Sequence, residues 1–175
     1  MGDKFILTAF GKDRPGIVAD VARVLFENGC NLEDSTMTRL ADEFTIILLL
    51  SDQGQENLMD KLSKECRRLE MEKGVSAFVR PVSDPKGKSA ENYTEQTFHI
   101  EGMDQVGIVY KISNFMSEKG VNIANLRSKV SFSPESGSAM YYMEVNAEVP
   151  NDISMDDLDD GFAQISDELH IDITR

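Results

Sequence analysis

The stretch that decides the fold reads GKDRPGIV at residues 11–18, and it returns as GMDQVGIV at residues 102–109. A second stretch returns in the same way, because ENGCNL at 27–32 is followed later by EKGVNI at 118–123. Both returns lie 91 positions further along the chain. A repeat of this kind indicates two copies of one small module, each containing a loop, a helix start and a turn.

Apolar periodicity predicts the same elements in both copies. In the first copy we expect strands at 4–10, 31–40, 44–50 and 75–82, with helices from Pro15 to Gly29 and from Leu58 to Gly74. In the second copy we expect strands at 96–101, 122–132, 140–149 and 171–174, with helices at 108–116 and 158–169. The order βαββαβ is the ferredoxin-like arrangement, an α+β fold whose antiparallel sheet has both helices on one face.

The repeat also predicts the domain limits. We expect one domain at residues 1–82 and a second at residues 95–175. Residues 83–94 between them are rich in Pro, Gly, Ser and Lys, which is typical of a linker. A module of this size is only marginally stable alone, so each copy is expected to pack against the other or against another chain.

The third strand of the first copy is apolar on both sides. Its residues alternate as Phe44, Ile46, Leu48 and Leu50 on one side and Thr45, Ile47 and Leu49 on the other. A solvated sheet face normally carries polar residues. Two interpretations stay open: a central strand with some exposed aliphatic side chains, or a face covered by the other module or a second subunit. The matching strand of the second copy is more polar, with Glu144 and Asn146 on one side.

The composition argues against several classes of partner. The net charge is −13, and the only short basic cluster is Arg67-Arg68, so direct binding of nucleic acid is disfavoured. The chain has no apolar run of membrane-spanning length, and its N-terminus is not that of a signal peptide. Cys30 and Cys66 are expected to be reduced, buried thiols of a cytoplasmic protein.

The repeated positions carry the chemistry of a small-molecule site. The loop at 11–16 ends at a helix N-terminus, where free N–H groups and the helix dipole favour an anion such as a carboxylate. Asp13 or Asp34 could pair with an ammonium group, and Asn31 offers both a donor and an acceptor. This combination fits a small amino acid. The alternative is ordinary capping and turn chemistry, which duplication would copy as well.

The two parts of this site lie apart in one module. In a βαβ path, the turn before Asn31 lies at the opposite end of the first helix from the loop. We therefore expect the site to form where two modules pack side by side around a two-fold axis.

No catalytic or metal-binding pattern is evident, and no cofactor is expected. His99 and His170 have no Cys or His partner at metal spacing, so structural roles are favoured. The acidic run at 152–160 lacks the spacing of a calcium loop and is typical of a helix start.

The DRPGIV loop at 13–18, with GCNL at 29–32, resembles the ACT domain, a βαββαβ regulatory module that binds amino acids at module interfaces. The longer stretch at 29–35, followed by Glu43-Phe44-Thr45, is similar to the glycine cleavage system transcriptional repressor family. That resemblance implies a tandem ACT protein that responds to glycine and contacts a transcriptional activator. Taken with the spacing, it gives the candidate ligand-binding residues. They are Gly11, Asp13, Arg14, Pro15, Gly16, Ile17, Asn31, Leu32 and Asp34 in the first copy, and Asp104, Gly107, Asn122, Ile123 and Asn125 in the second.

The second copy departs from this pattern. Gln105 and Val106 stand where the first copy has Arg14 and Pro15, and Asn125 stands opposite Asp34. An ammonium-binding carboxylate is therefore expected only in the first copy.

Three functions follow from these observations. The first is a non-enzymatic, homodimeric sensor of glycine or serine that regulates glycine cleavage genes through protein contacts. The second is a related module that regulates a metabolic enzyme. The third is a fragment related to formyltetrahydrofolate deformylases, whose N-terminal ACT region the first copy also resembles.

Overall fold

A computed structural model of the chain describes residues 4–52, 54–82, 92–134 and 136–175. The chain divides into two compact units, Met1–Lys86 and Gly87–Arg175. Each unit has its own hydrophobic core.

The first unit is a four-stranded antiparallel sheet with two helices. Its elements are β1 (Lys4–Lys12), α1 (Ile17–Glu27), β2 (Asn31–Leu40), β3 (Glu43–Ser51), α2 (Leu58–Lys73) and β4 (Ser76–Val82). The strand order is β2-β3-β1-β4. Because β3 pairs with both β1 and β2, the βαββαβ connection predicted from the sequence is confirmed.

The second unit repeats this arrangement. Its elements are β5 (Tyr93–Met103), α3 (Ile108–Glu118), β6 (Asn122–Phe132), β7 (Ala139–Pro150), α4 (Met155–Leu169) and β8 (Ile171–Thr174). The strand order β6-β7-β5-β8 matches that of the first unit position by position.

The helices cover one face of each sheet, called here the helix face. In the first unit, Leu62 of α2 and Val21 of α1 are fully buried together with Leu7 of β1. Burial of side chains of this size contributes about 1.5–3 kcal/mol each. Every second residue of β3 points into this core, which explains the alternation predicted for that strand.

The opposite faces of the two sheets, called here the open faces, differ in polarity. In the first unit, Phe10, Ile47 and Phe78 lie on this face with 44–50% of their surface exposed. In the second unit, the open face carries Glu144 and Asn146 of β7, as the sequence predicts.

The predicted linker is two residues too long. Its last residues, Tyr93 and Thr94, belong to β5, where Thr94 pairs with Val149 of the long strand β7. The Pro, Gly, Ser and Lys bias ends before these two residues, and Tyr and Thr favour strands. The rest of the predicted linker, at 83–91, lies outside the described residues.

Burial of the two thiols also differs from expectation. Cys66 is buried in α2, but Cys30 is only half-buried because it lies in the turn between α1 and β2. Burial raises the pKa of the Cys66 thiol to about 11.

Candidate functional site

The repeated loops, residues 11–16 (loop 1) and 102–107 (loop 2), have the same backbone geometry. Gly16 and Gly107 each precede a helix, with φ values of +87° and +102° that favour glycine. The Asp13 amide donates to the carbonyl of Asp42 at 2.7 Å. In the second unit, the Asp104 amide donates to the carbonyl of Ala139 at 3.0 Å. Each loop is thus tied to the hairpin that follows the first helix.

The first glycine of each loop is explained by packing. A Cβ on Gly102 would lie 3.1 Å from the Cα of Ile171, and a Cβ on Gly11 would lie 3.1 Å from the carbonyl oxygen of Gly74. These distances are tighter than ordinary van der Waals contact. The glycine at position 11 is therefore explained by close packing against Gly74, at the end of α2, whether or not a ligand contacts it.

Arg14 of loop 1 is held by Asp20, which is not among the residues predicted for the site. Its Nη2 donates to the Asp20 carboxylate at 2.7 Å. Asp20 is only 9% exposed and also lies 3.6 Å from Arg23 and 3.7 Å from Lys73. The hydrogen bond from Arg14, helped by these cations, lowers the pKa of Asp20 despite its burial.

Asp13, a predicted partner for an ammonium group, already has a cationic neighbour. Its carboxylate lies 3.3 Å from the Arg39 guanidinium on β2. An incoming ammonium would share or displace that contact, which favours Asp34 over Asp13 for this role.

Asn31, Leu32 and Asp34 lie at the start of β2, where the strand has a bulge at Glu33. The extra residue places Asp34 on the open face, opposite Leu49. The Asp34 carboxylate accepts a hydrogen bond from the Ser35 amide at 2.7 Å and remains exposed. Glu33 itself pairs with Lys4 at 3.0 Å, and this contact lowers its pKa.

The two groups of predicted residues lie at opposite ends of the first sheet, as the sequence predicts. Asn31 pairs with Ser51 of β3, which on its other side pairs with Lys4 at the start of β1. Loop 1, in contrast, includes Lys12 at the end of β1. Lys12 lies eight positions after Lys4 in β1, which corresponds to about 26 Å at roughly 3.3 Å per residue. A ligand that contacts both groups therefore requires a second module.

The second unit has a matching bulge but different chemistry. Ala124 is the extra residue, and Asn125 lies opposite Asn146. The side-chain amide of Asn122 donates to the Glu148 carboxylate at 2.8 Å. Within the described residues, the Asn146 side-chain oxygen is buried without a hydrogen-bond partner. It lies in a cleft of about 380 Å³ beside Ala124 and Asn125.

A larger cleft of about 470 Å³ lies on the open face of the second unit. Its lining includes His99, the basic residues Arg127 and Lys129, and the acidic residue Glu144. The His99 Nδ1 lies 3.9 Å from the Glu144 carboxylate. None of the predicted ligand-binding residues lines this cleft.

Asp20 could have been found from the sequence. It stands beside Val21 and Val24, on the apolar stripe of a predicted helix, where an acidic residue needs a cationic partner. The cation that precedes it in the loop, Arg14, is the evident candidate. The bulge at Glu33, in contrast, has no comparable signal in the sequence.

The described ranges contain no group of three or more His, Cys, Asp or Glu side chains that could hold a metal ion. Within the same ranges, no helix is both long and apolar enough to cross a membrane.

Residues 3–79 match the ACT domain. The chain is 36% identical over 75 residues to a UPF0237 protein from Methanopyrus kandleri, an alignment that covers 43% of this chain and 83% of that protein. It is 24% identical over 165 residues to the glycine cleavage system transcriptional repressor of Escherichia coli K12, across 94% of this chain and 85% of that protein.

A solved structure of an unknown protein from Galdieria sulphuraria has the same fold over both units. The superposition gives a TM-score of 0.80 with 23% identity and covers 99% of this chain and 97% of that one.

Proposed function

Because the chain belongs to the ACT-domain family, we propose that it is a non-enzymatic regulatory protein that binds a small amino acid. The first unit matches the family directly, and the second repeats its βαββαβ pattern. Glycine is the ligand we propose, with serine as the nearest competitor.

The proposed target is transcription of the glycine cleavage genes. Support comes from the similarity to the Escherichia coli repressor, which extends over both units. With a net charge of −13, the chain is poorly suited to binding DNA directly. We therefore propose that it acts in the cytoplasm by contacting a transcriptional activator.

The observation that carries the site is the separation of loop 1 from the bulge of β2. The N-terminus of α1 has no side-chain cap within the described residues, so its backbone amides can donate hydrogen bonds to a ligand carboxylate. The exposed Asp34 carboxylate, about one sheet length away, suits the ammonium group. We propose that a second copy of the chain supplies the missing half, which makes the binding form a homodimer.

Calorimetry tests this function directly. We expect glycine to bind at millimolar concentration or below, and Asn31→Ala and Asp34→Asn each to weaken binding about tenfold. Asn114→Ala is the matched control, because Asn114 is exposed on α3 and bonds only to Glu118 among the described contacts. Absence of binding by glycine, serine and alanine at 10 mM, roughly the weakest useful affinity, would contradict the proposal.

The protein-contact mechanism needs a separate test. We expect the chain to retain a transcriptional activator from a host lysate in a glycine-dependent way and to leave the mobility of promoter DNA unchanged. Capture of a metabolic enzyme instead would redirect the regulatory role. Turnover of formyltetrahydrofolate would refute the non-enzymatic assignment.

A further inference from the structure

Within the described part of the chain, Asp20 is the one charged residue that is buried, and three cations surround it. Its carboxylate lies 2.7 Å from Arg14, 3.6 Å from Arg23 and 3.7 Å from Lys73. A buried carboxylate is costly unless it is paired and hydrogen-bonded, and here Arg14 supplies the direct bond.

These contacts join three separate segments. Arg14 belongs to loop 1, Asp20 to the first turn of α1, and Lys73 is the last residue of α2. The next residue, Gly74, contacts the other end of the loop, because its carbonyl oxygen limits the space at Gly11. Loop 1 is therefore anchored at both ends near the C-terminus of α2.

The second unit makes the same connection with different residues and opposite charges. Lys111 stands 91 positions after Asp20 and pairs with Glu168, near the end of α4. Gln105, which stands at the position of Arg14, donates to the carbonyl of Leu169, the last residue of α4. Loop 1 is thus linked to the end of α2 and loop 2 to the end of α4, although the two links use different residue types.

We infer that Asp20 is a positioning residue of loop 1. It fixes the Arg14 guanidinium against α1 and thereby holds the backbone amides of the loop in the geometry that receives a ligand carboxylate. Lys111, Glu168 and Gln105 do the same for loop 2. The ligand part of this inference rests on the proposed function, whereas the ordering of the loop does not.

Removal of the Asp20 charge would leave Arg14, Arg23 and Lys73 close together without their shared carboxylate. Like charges at short range repel, so the Arg14 side chain would move toward solvent. Loop 1 would then keep its hairpin contact, from the Asp13 amide to Asp42, but lose its tether to the helices.

Hydrogen exchange of the ligand-free protein tests this ordering. In Asp20→Asn, we expect the amide of Ile17, which donates to the Arg14 carbonyl, to exchange about fivefold faster. The amide of Asp13, which keeps its bond to Asp42, and the amide of Leu48 in the core should each change less than about twofold. Arg23→Gln is the matched control, because Arg23 contacts Asp20 but is not part of the loop. We expect this variant to leave the exchange rate of the Ile17 amide within about twofold of wild type.

A double variant separates positioning from general destabilisation. Arg14→Gln combined with Asp20→Asn should exchange no faster in the loop than either single change, because both remove the same link. Unchanged loop exchange in Asp20→Asn, or equal acceleration in Arg23→Gln or at Leu48, would overturn the inference.

Calorimetry with glycine supplies the second readout. We expect Asp20→Asn to weaken binding about fivefold and Asp20→Glu, which keeps the charge, to restore most of it. If wild type binds glycine and Asp20→Asn binds it equally well, the positioning role fails and the proposed function stands. If wild type binds no amino acid, the proposed function fails, and the exchange experiment still decides whether Asp20 orders the loop.

Discussion

Replacement of Gly102 by alanine tests the packing that places loop 2. The new Cβ would lie 3.0 Å from the Cβ and 3.1 Å from the Cα of Ile171. Ordinary carbon contacts are about 3.5–4.0 Å, so the two strands must separate by roughly half an ångström. Gly102 and Ile171 are directly paired between β5 and β8, which leaves little freedom for this movement.

The expected cost follows from two opposing effects. Overpacking of this kind costs about 1–3 kcal/mol. Loss of glycine's freedom in the unfolded chain returns about 0.4–1 kcal/mol. We therefore expect Gly102→Ala to lower the free energy of unfolding of the second unit by about 1–2 kcal/mol, a factor of about 5–30 in the equilibrium.

Native-state hydrogen exchange measures this change within one unit. Phe98 and Val145 are buried residues that pair between β5 and β7, and their backbone amides should exchange about 5–30 times faster in the variant. Gly11→Ala is the matched control: its Cβ would have one short contact, 3.1 Å to the Gly74 carbonyl oxygen, and lie 3.6 Å from the next atom. Its cost in the first unit should stay below about 1 kcal/mol.

A second variant identifies the contact responsible. The Cγ2 of Ile171 is the atom nearest to the new methyl group, so Gly102→Ala should cost less in an Ile171→Ala background than in wild type. A neutral or stabilising effect of Gly102→Ala would refute the reasoning, as would a larger effect at Gly11.

Three further predictions concern the first unit. Cys66, with a pKa of about 11, should react with Ellman's reagent at pH 8 about 100-fold more slowly than a free thiol; equal rates in the folded protein would contradict its burial. Glu33 has a lowered pKa, so its stabilising contact is present above the ordinary Glu value of about 4.3 and is lost as the pH falls through the lower native value. Urea titrations should therefore show that the free energy of unfolding falls less between pH 7 and pH 3 in Glu33→Gln than in wild type. An identical fall in both proteins would exclude this role. Leu62→Ala should lower the free energy of unfolding, measured in urea, by about 2–5 kcal/mol. Ile47→Ala on the open face should lower it by less than about 1 kcal/mol, and comparable costs would contradict the burial of Leu62.

Much of the fold could be predicted because the local signals agree. Gly74, in the left-handed region at φ +65°, ends α2 where the sequence places the stop. In the second copy, α4 ends at His170 in the same conformation, at φ +51°. A histidine, unlike a glycine, does not by itself predict this conformation. Here the end of the helix is predicted by the repeat and not by the residue type.

The faces of β2 could not be predicted from alternation. Counting from Asn31 by twos would place Met37 on the open face, but the bulge at Glu33 moves it to the helix face, opposite Ile46. One extra residue therefore reverses the side of every residue that follows. Charge and hydropathy patterns do not reveal where such an insertion falls.

The candidate site was predictable as a set of positions but not as a set of contacts. The sequence places Gly16 and Gly107 at helix starts and Asn31 at the start of a strand, and the structure agrees at these repeated positions. The Arg14–Asp20 bond and the engagement of Asp13 by Arg39 depend on packing between segments that are distant in sequence. Such pairings become evident only when the helices and strands are assembled.

The bulges at Glu33 and Ala124 also bear on aggregation. An exposed sheet edge is a template for adding further strands, and β2 is exposed along its whole length. The bulge interrupts the pairing of β2 with β3 before Asp34, and the local bend and twist of a bulged strand make its outer edge a poorer template for added strands. The opposite edges are protected differently, by Pro81 in β4 and by the four-residue length of β8. Straightening β2 by deletion of Glu33 should therefore make the chain more prone to fibril formation while leaving the core of the first unit intact.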